Sequence, residues 1–261
     1  MKADPIGIFD SGVGGTSIWK EIQALMPKES TLYLADSANA PYGEKSKNEI
    51  VRLSIKNTEF LLDQGCKLIV VACNTATTNA IDYLRENYDV PFIGIEPAIK
   101  PAALQSKSKT VGVLATKGTL SSSLFHSTSE NHANGITIIE REGSGLVELI
   151  EAGKIDSPEM HELLKKFLAP MLAEGIDYLV LGCTHYPYLI PMLEKMLPDH
   201  VMIIDSGEAV ARQTKSILEQ RDLLNESNKK GTAIFRTNGN LTVLENFLKD
   251  SDVAEVSYLD F

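Results

Sequence analysis

The stretch Gly65-Cys66-Lys67-Leu68-Ile69-Val70-Val71-Ala72-Cys73-Asn74-Thr75 returns later in the chain as Gly175-Ile176-Asp177-Tyr178-Leu179-Val180-Leu181-Gly182-Cys183-Thr184-His185. In each copy a glycine precedes a short apolar run, a cysteine closes the run, and polar residues follow. The run is too continuously apolar to alternate between a wet and a dry face, which is the pattern of a parallel strand buried on both sides. Two further pairs keep the same order: Ile6-Gly7-Ile8-Phe9 with Val111-Gly112-Val113-Leu114, and Leu32-Tyr33-Leu34-Ala35-Asp36 with Thr137-Ile138-Ile139-Glu140-Arg141. Each match is weak residue by residue, but their preserved order predicts two similar α/β halves, 1–96 and 97–206.

Strands are expected at 6–9, 31–35, 68–72, 92–95, 111–115, 137–140, 178–181 and 201–204. Amphipathic stretches lie between them. Residues 47–64 carry Ile50, Leu53, Ile55, Phe60 and Leu61, and 157–174 carry Met160, Leu163, Leu164, Phe167 and Leu168 behind Ser157 as an N-cap. Strand and helix in alternation predict an α/β fold, built as two pseudo-symmetric parallel-sheet α/β domains with the active site in the cleft between them. Residues 207–261 add a helix at 207–220, a loop at 225–231, a strand near 233–236 and a helix at 241–249. They are expected to pack back on the first half, so the domains read 1–96 plus 207–261 and 97–206. No linker is long enough to hold the halves apart, which predicts a permanent cleft.

A length of 261 residues suits one large or two medium domains. Contents of 43% apolar and 23% charged residues exclude disorder, collagen and coiled coil as the main architecture. The longest apolar run, Leu68 to Cys73, falls far short of the roughly 18 residues of a membrane span. No signal-peptide core follows Met1, so a cytoplasmic protein with no membrane association is expected. Three cysteines argue against a disulfide framework. The net charge of −10 argues against a nucleic-acid partner, and a small anionic substrate must find its positive potential locally.

Ligands of open parallel sheets bind beyond the carboxyl ends of the strands, and four motifs fall there. Asp10-Ser11-Gly12-Val13-Gly14-Gly15 follows the first strand and opens a helix, whose N-terminus attracts anions. A dinucleotide reading is supported by Asp36 near the place of a ribose-binding acid. It is opposed by Ser17 where a third glycine belongs and by Asp10, which would set a carboxylate beside the pyrophosphate. Cys73-Asn74-Thr75-Ala76-Thr77 and Cys183-Thr184-His185-Tyr186-Pro187 occupy equivalent places in the two halves. A cysteine is most often a buried small hydrophobe, and Cys66 fits that description. Cys73 and Cys183 differ: each leaves a strand and is expected at a helix N-terminus, where a thiolate is stabilised. A zinc pair is weaker, because no C-x-x-C or close His-x-His spacing accompanies them, and a cytoplasmic disulfide is weaker still. Ala40-Pro41-Tyr42-Gly43 reads as a turn and, beside the other three motifs, as a wall of the pocket.

These four motifs, in this order, resemble the cofactor-independent glutamate racemases of the aspartate/glutamate racemase superfamily, through nearly the whole chain. The resemblance implies two α/β domains, catalytic cysteines at Cys73 and Cys183, no cofactor and no metal. It also implies glutamate as the small-molecule substrate, D-glutamate supplied for bacterial peptidoglycan, and a homodimer. Asp10 and His185 would assist the cysteines, joined by a glutamate early in the second half, for which Glu151 is the best match. By the same resemblance Cys73 serves D-glutamate and Cys183 serves L-glutamate. Some members carry an N-terminal extension linked to activation by a peptidoglycan precursor. With nine residues before Asp10, that activation is not expected here.

Racemisation removes a proton from one face of Cα and returns one to the other, so two bases on opposite sides serve without moving. Cysteines at helix starts can be tuned for such work. His185 lies beside Cys183 in sequence and Asp10 ends the first strand, each placed to exchange a proton with the nearer thiol. His126, His132, His161 and His200 are expected on helix or loop surfaces and receive no role. No lysine or arginine occupies any of the four motifs. The substrate carboxylates are therefore expected to be held by backbone N–H groups and hydroxyls of Ser11, Gly43, Asn74, Thr75, Thr184 and Thr119, with Pro41 and Tyr42 as wall and Asp10 and His185 in contact. Another racemase of the superfamily, acting on aspartate or a hydantoin, and a two-lobed binding protein without catalysis remain as alternative readings.

Overall fold

The computed structural model describes residues 2–132 and 135–261. The first half runs β1 (Ile6–Asp10), α1 (Thr16–Leu25), β2 (Thr31–Ala35), α2 (Lys47–Asp63), β3 (Leu68–Val71), α3 (Asn74–Asn87) and β4 (Phe92–Gly94). The second runs α4 (Ile99–Gln105), β5 (Thr110–Ala115), α5 (Lys117–Leu120), α6 (Ser123–His132), β6 (Thr137–Glu142), α7 (Leu146–Glu151), α8 (Pro158–Ala173), β7 (Tyr178–Gly182), α9 (Ile190–Met196) and β8 (Met202–Ile204). The remainder is α10 (Gly207–Gln220), β9 (Ala233–Thr237), α11 (Leu241–Leu248) and β10 (Glu255–Tyr258). Every expected strand is present, with ends moved by one or two residues. β10 was not foreseen: Glu255-Val256-Ser257-Tyr258 is a half-polar edge strand with little apolar signal.

All strand pairs are parallel. One sheet has the order β10-β9-β2-β1-β3-β4 and the other β6-β5-β7-β8. The run β2-β1-β3-β4 repeats as β6-β5-β7-β8, so the duplication read from the sequence is a duplication of topology. Residues after 207 return to the first sheet, where β9 pairs with β2 and β10 with β9.

The repeated glycines have a local cause. Gly65 and Gly175 each end a helix at φ +75°, the left-handed conformation glycine adopts most easily. Nothing stands within 4 Å of a Cβ placed at either position, so conformation and not space demands glycine there. Helix starts follow their caps. Ser46 accepts a hydrogen bond from Glu49 N–H at the head of α2, and Ser157 does the same for Met160 at the head of α8, with Pro158 in the first turn. α8 buries Met160, Leu164, Phe167, Leu168 and Met171 against the second sheet's side of the core. That apolar core continues from one half into the other, through Val13, Ile95, Leu114 and Leu181. The two connecting segments are also tied together, since Ser206 Oγ donates to Glu96 O. The carboxyl ends of both sheets therefore meet along one seam.

Candidate active site

The seam holds a small cavity. Ser11, Cys73, Asn74 and Thr75 line it from the first half, and Thr116, Val147, Cys183, Thr184 and His185 from the second. Pro41, Tyr42 and Gly43 form a wall. Three of the residues singled out in the sequence do not line it. Thr119 is fully buried behind Thr75 and Thr116, bonding both hydroxyls at 3.3 and 3.1 Å. Asp10 and Glu151 stand one layer back, each holding a residue that does touch the cavity.

Cys73 is the N-cap of α3 and its sulfur accepts Ala76 N–H at 3.4 Å. Its thiol donates to Ser11 Oγ at 3.7 Å. Burial, then the Asp10 carboxylate, push the thiol well above its ordinary range, outweighing the Ala76 and Ser11 bonds that favour the thiolate. The expected stabilisation of an anion at this helix start is present and loses to burial. Asp10 is itself completely buried. Its carboxylate accepts Gly15 N–H at 2.9 Å, Gly12 N–H at 3.3 Å and the Thr184 hydroxyl at 3.3 Å. Burial still raises its proton affinity against the opposing pull of His185.

Cys183 is not at a helix N-terminus. A 3-10 turn over Tyr186–Leu189 follows it, opened by a bond from Tyr186 N–H to Cys183 O at 3.0 Å, and α9 begins only at Ile190. Its partner is a side chain: His185 Nδ1 lies 3.8 Å from Cys183 Sγ, and His185 Nε2 lies 2.6 Å from Glu151 Oε1. Burial draws the His185 proton affinity down, but hydrogen bonds to Cys183 and Glu151, with the charges of Cys183 and Asp10, raise it well above an ordinary histidine. An imidazole set between a sulfur and a carboxylate is thereby disposed to take up a proton.

The glycine motif serves this pair. A Cβ on Gly14 would come within 2.3 Å of His185 Nδ1, and one on Gly12 within 1.9 Å of Glu151 Oε1. The loop's amides are taken as well, Gly12 and Gly15 by Asp10 and Val13 by Glu151 Oε1 at 2.7 Å. A pyrophosphate would have to displace two carboxylates from these three amides. Asp36, the nominal ribose acid, receives Tyr42 OH at 2.5 Å, Asn238 Nδ2 at 2.5 Å, Asn39 Nδ2 at 2.8 Å and Lys56 Nζ at 3.2 Å. The Tyr42 hydroxyl is thereby committed to Asp36, and Tyr42 offers the cavity its backbone and ring rather than a free donor.

The cavity is also lined by hydroxyls. Thr75 Oγ1 and Thr116 Oγ1 lie 2.8 Å apart across the two halves. Asn74 Oδ1 is buried without a partner, an orphan that a bound group would satisfy. Among the described residues no lysine or arginine lines the cavity. Thr116 and Val147 were not foreseen, although the offset that aligns β1 with β5 sets Thr116 opposite Ser11 and Val147 opposite Tyr42. Cys66 is buried in the core below the first sheet, where burial pushes its thiol up to about 12. His126, His161 and His200 are exposed, and the His132 side chain lies outside the described residues. Among the described residues no cluster of His, Cys, Asp and Glu has an arrangement that would hold a metal.

The family model of Asp/Glu/hydantoin racemases matches residues 15–214. A glutamate racemase of Ectopseudomonas mendocina is 52% identical over 84% of this chain and 84% of its own. One from Herpetosiphon aurantiacus is 46% identical over 92% of this chain and 94% of its own. The crystal structure of a glutamate racemase isoform from Bacillus anthracis superposes with a TM-score of 0.89 at 32% identity, covering 100% of this chain and 99% of that one.

Proposed function

The chain belongs to the Asp/Glu/hydantoin racemase family, whose members are isomerases, and we propose that it interconverts L- and D-glutamate without a cofactor, with Cys73 and Cys183 as the two bases. The observation that carries this reading is a pair of thiols lining one cavity from opposite halves, each backed by its own proton carrier. In the L-to-D direction Cys183 passes its proton to His185 Nδ1 and, as thiolate, takes the Cα proton. Cys73, held as a thiol by burial and Asp10, delivers a proton to the opposite face. The sulfurs then carry exchanged protonation states, and Asp10 with Ser11 on one side and His185 with Glu151 on the other restore them. In the D-to-L direction the roles reverse.

The developing enolate is the costly species, and fixed dipoles in a closed site are suited to it. The head of α3 and the Thr75 and Thr116 hydroxyls supply donors where, among the described residues, no lysine or arginine lines the cavity. Asn74 Oδ1 is an unpaired acceptor suited to the substrate ammonium. The relatives' names favour glutamate over aspartate or a hydantoin. The product suits peptidoglycan synthesis, the family's implied use of D-glutamate. Reduced free thiols fit a cytoplasmic setting, and among the described residues no helix is long and apolar enough to cross a membrane. Assembly as a homodimer belongs to the same proposal. Incubation with L-glutamate and then L-aspartate, in chelator and without added cofactor, tests the reading by optical rotation. Loss of rotation with glutamate alone is expected. Racemisation of aspartate alone would replace the substrate, and a requirement for zinc or pyridoxal phosphate would overturn the mechanism.

A further inference from the structure

Glu151 is the last residue of α7, in the second half, yet two of its three hydrogen-bond donors come from the first. Oε1 receives Val13 N–H at 2.7 Å together with His185 Nε2 at 2.6 Å, and Oε2 receives the Ser37 hydroxyl at 3.0 Å. We propose that Ser37 is a positioning residue for the His185–Glu151 pair, locking the carboxylate from across the seam and setting how much of its charge His185 faces. The inference deepens the racemase reading and rests on it for its kinetic consequence.

Ser37 is firmly held. It follows Asp36, whose carboxylate collects four side-chain donors. The next residue, Ala38, donates its N–H to Asn238 Oδ1 at 2.9 Å. Gly239 leaves room beside it, since a Cβ there would fall 2.4 Å from Ser37 Cβ. The hydroxyl is thus delivered from a rigid turn, whereas the terminal torsion of a glutamate is soft. Without Ser37, Oε2 loses its donor and the carboxylate is free to swivel on its bond to Val13. A donor to a carboxylate also draws off part of its charge. Removing that donor leaves the imidazolium facing a stronger anion.

The other titratable groups facing His185 are Cys183 from its own segment and Asp10 from the end of β1, while Tyr33 of β2 stands behind the loop with its hydroxyl on Gly12 O. None of them touches Ser37 among the described hydrogen bonds, so a substitution there changes only the Glu151 arm.

The test is a histidine titration by NMR on the intact protein carrying nitrogen-15 histidine, the His185 signal being identified by its loss in His185→Asn. In Ser37→Ala the titration of His185 is expected to move up by roughly half a pH unit to one unit, the size of a single hydrogen-bonded neighbour's influence. Ser37→Thr, which keeps the hydroxyl, should titrate as the wild type. The alkaline limb of racemisation should move with it while KM changes little. Ser37→Gly repeats the comparison if the alanine variant unfolds early. Identical titration in every variant, or Ser37→Thr behaving as Ser37→Ala, overturns the assignment. A wild-type protein that leaves glutamate unchanged defeats the racemase reading and still permits the titration comparison.

Discussion

The Cys73 site and the Cys183 site descend from one repeated pattern and solve the same problem with different chemistry. Around Cys73 the partners are a helix N-terminus, a serine hydroxyl and a buried carboxylate, with no cation. Around Cys183 there is no helix start, and a histidine braced by a carboxylate takes its place. In the proposed reaction the first site holds a proton and the second passes one along. The strand order is duplicated, and in the proposed reaction the different residues behind each cysteine give the two faces of the substrate different proton donors and acceptors.

The largest effect expected from breaking this comparison is removal of either sulfur. Cys73→Ser and Cys183→Ser should each reduce racemisation by at least the ~10²–10⁴ range of a general acid–base contribution, since each turnover uses both faces. Turnover in deuterated water sharpens it: product should carry deuterium at Cα while recovered substrate carries little. Equal early exchange into both enantiomers would point to one base. Next in size is Gly14→Ala, whose Cβ would press on His185 Nδ1 and leave the Cys73 side untouched. A displacement of that kind costs on the order of a hundredfold in rate, measured as kcat with the overall fold checked by circular dichroism.

Smaller effects concern stability. Asp10 has its folded-state proton affinity raised by burial, so its charged form costs the fold something above the ordinary carboxylate pKa of 3.8. Asp10→Asn should therefore be inactive or nearly so and more stable than wild type. The gap in denaturation midpoint should open as pH rises through 3.8 and level off once the folded-state group has ionised. His185 has the opposite charge and also a raised value. Its stabilising contribution is complete below the ordinary 6.5 and is lost as pH rises through its folded-state pKa, a slope that His185→Asn should abolish. The least effect on activity belongs to Cys66→Ser, which should leave turnover intact and lower stability by about 1–3 kcal/mol through a buried hydroxyl.

Much of this was legible in the chain because it is local. A left-handed glycine, a run of buried strand residues and a polar strand end are all written in consecutive residues, as at Gly65–Thr75 and Gly175–His185. What escaped depends on distant residues. The likeness of Cys183 to Cys73 predicts a helix start there, but a 3-10 turn with Pro187 near its head follows Cys183 instead. The proton affinity of Cys73 depends on burial and on Asp10, neither of which its neighbours in sequence reveal. Ser37 looks like any turn serine until α7 brings Glu151 to it. Thr116 and Val147 were recoverable, had the internal offset been followed past the strands.

The pairing of β9 with β2 also sets an order of assembly. The second sheet draws on the continuous stretch from β5 to β8 and is complete when that stretch emerges from the ribosome. The first sheet must wait, with the β2 edge bare, until Ala233–Thr237 has been made. Closing so long a loop is slow, and pairings of that separation tend to come late in folding. Trp19, the chain's one tryptophan, packs edge-on against Phe235 of β9 with ring centroids 4.8 Å apart. Its fluorescence during refolding therefore reports the arrival of that strand, and should change after the ellipticity of the second half has already been regained.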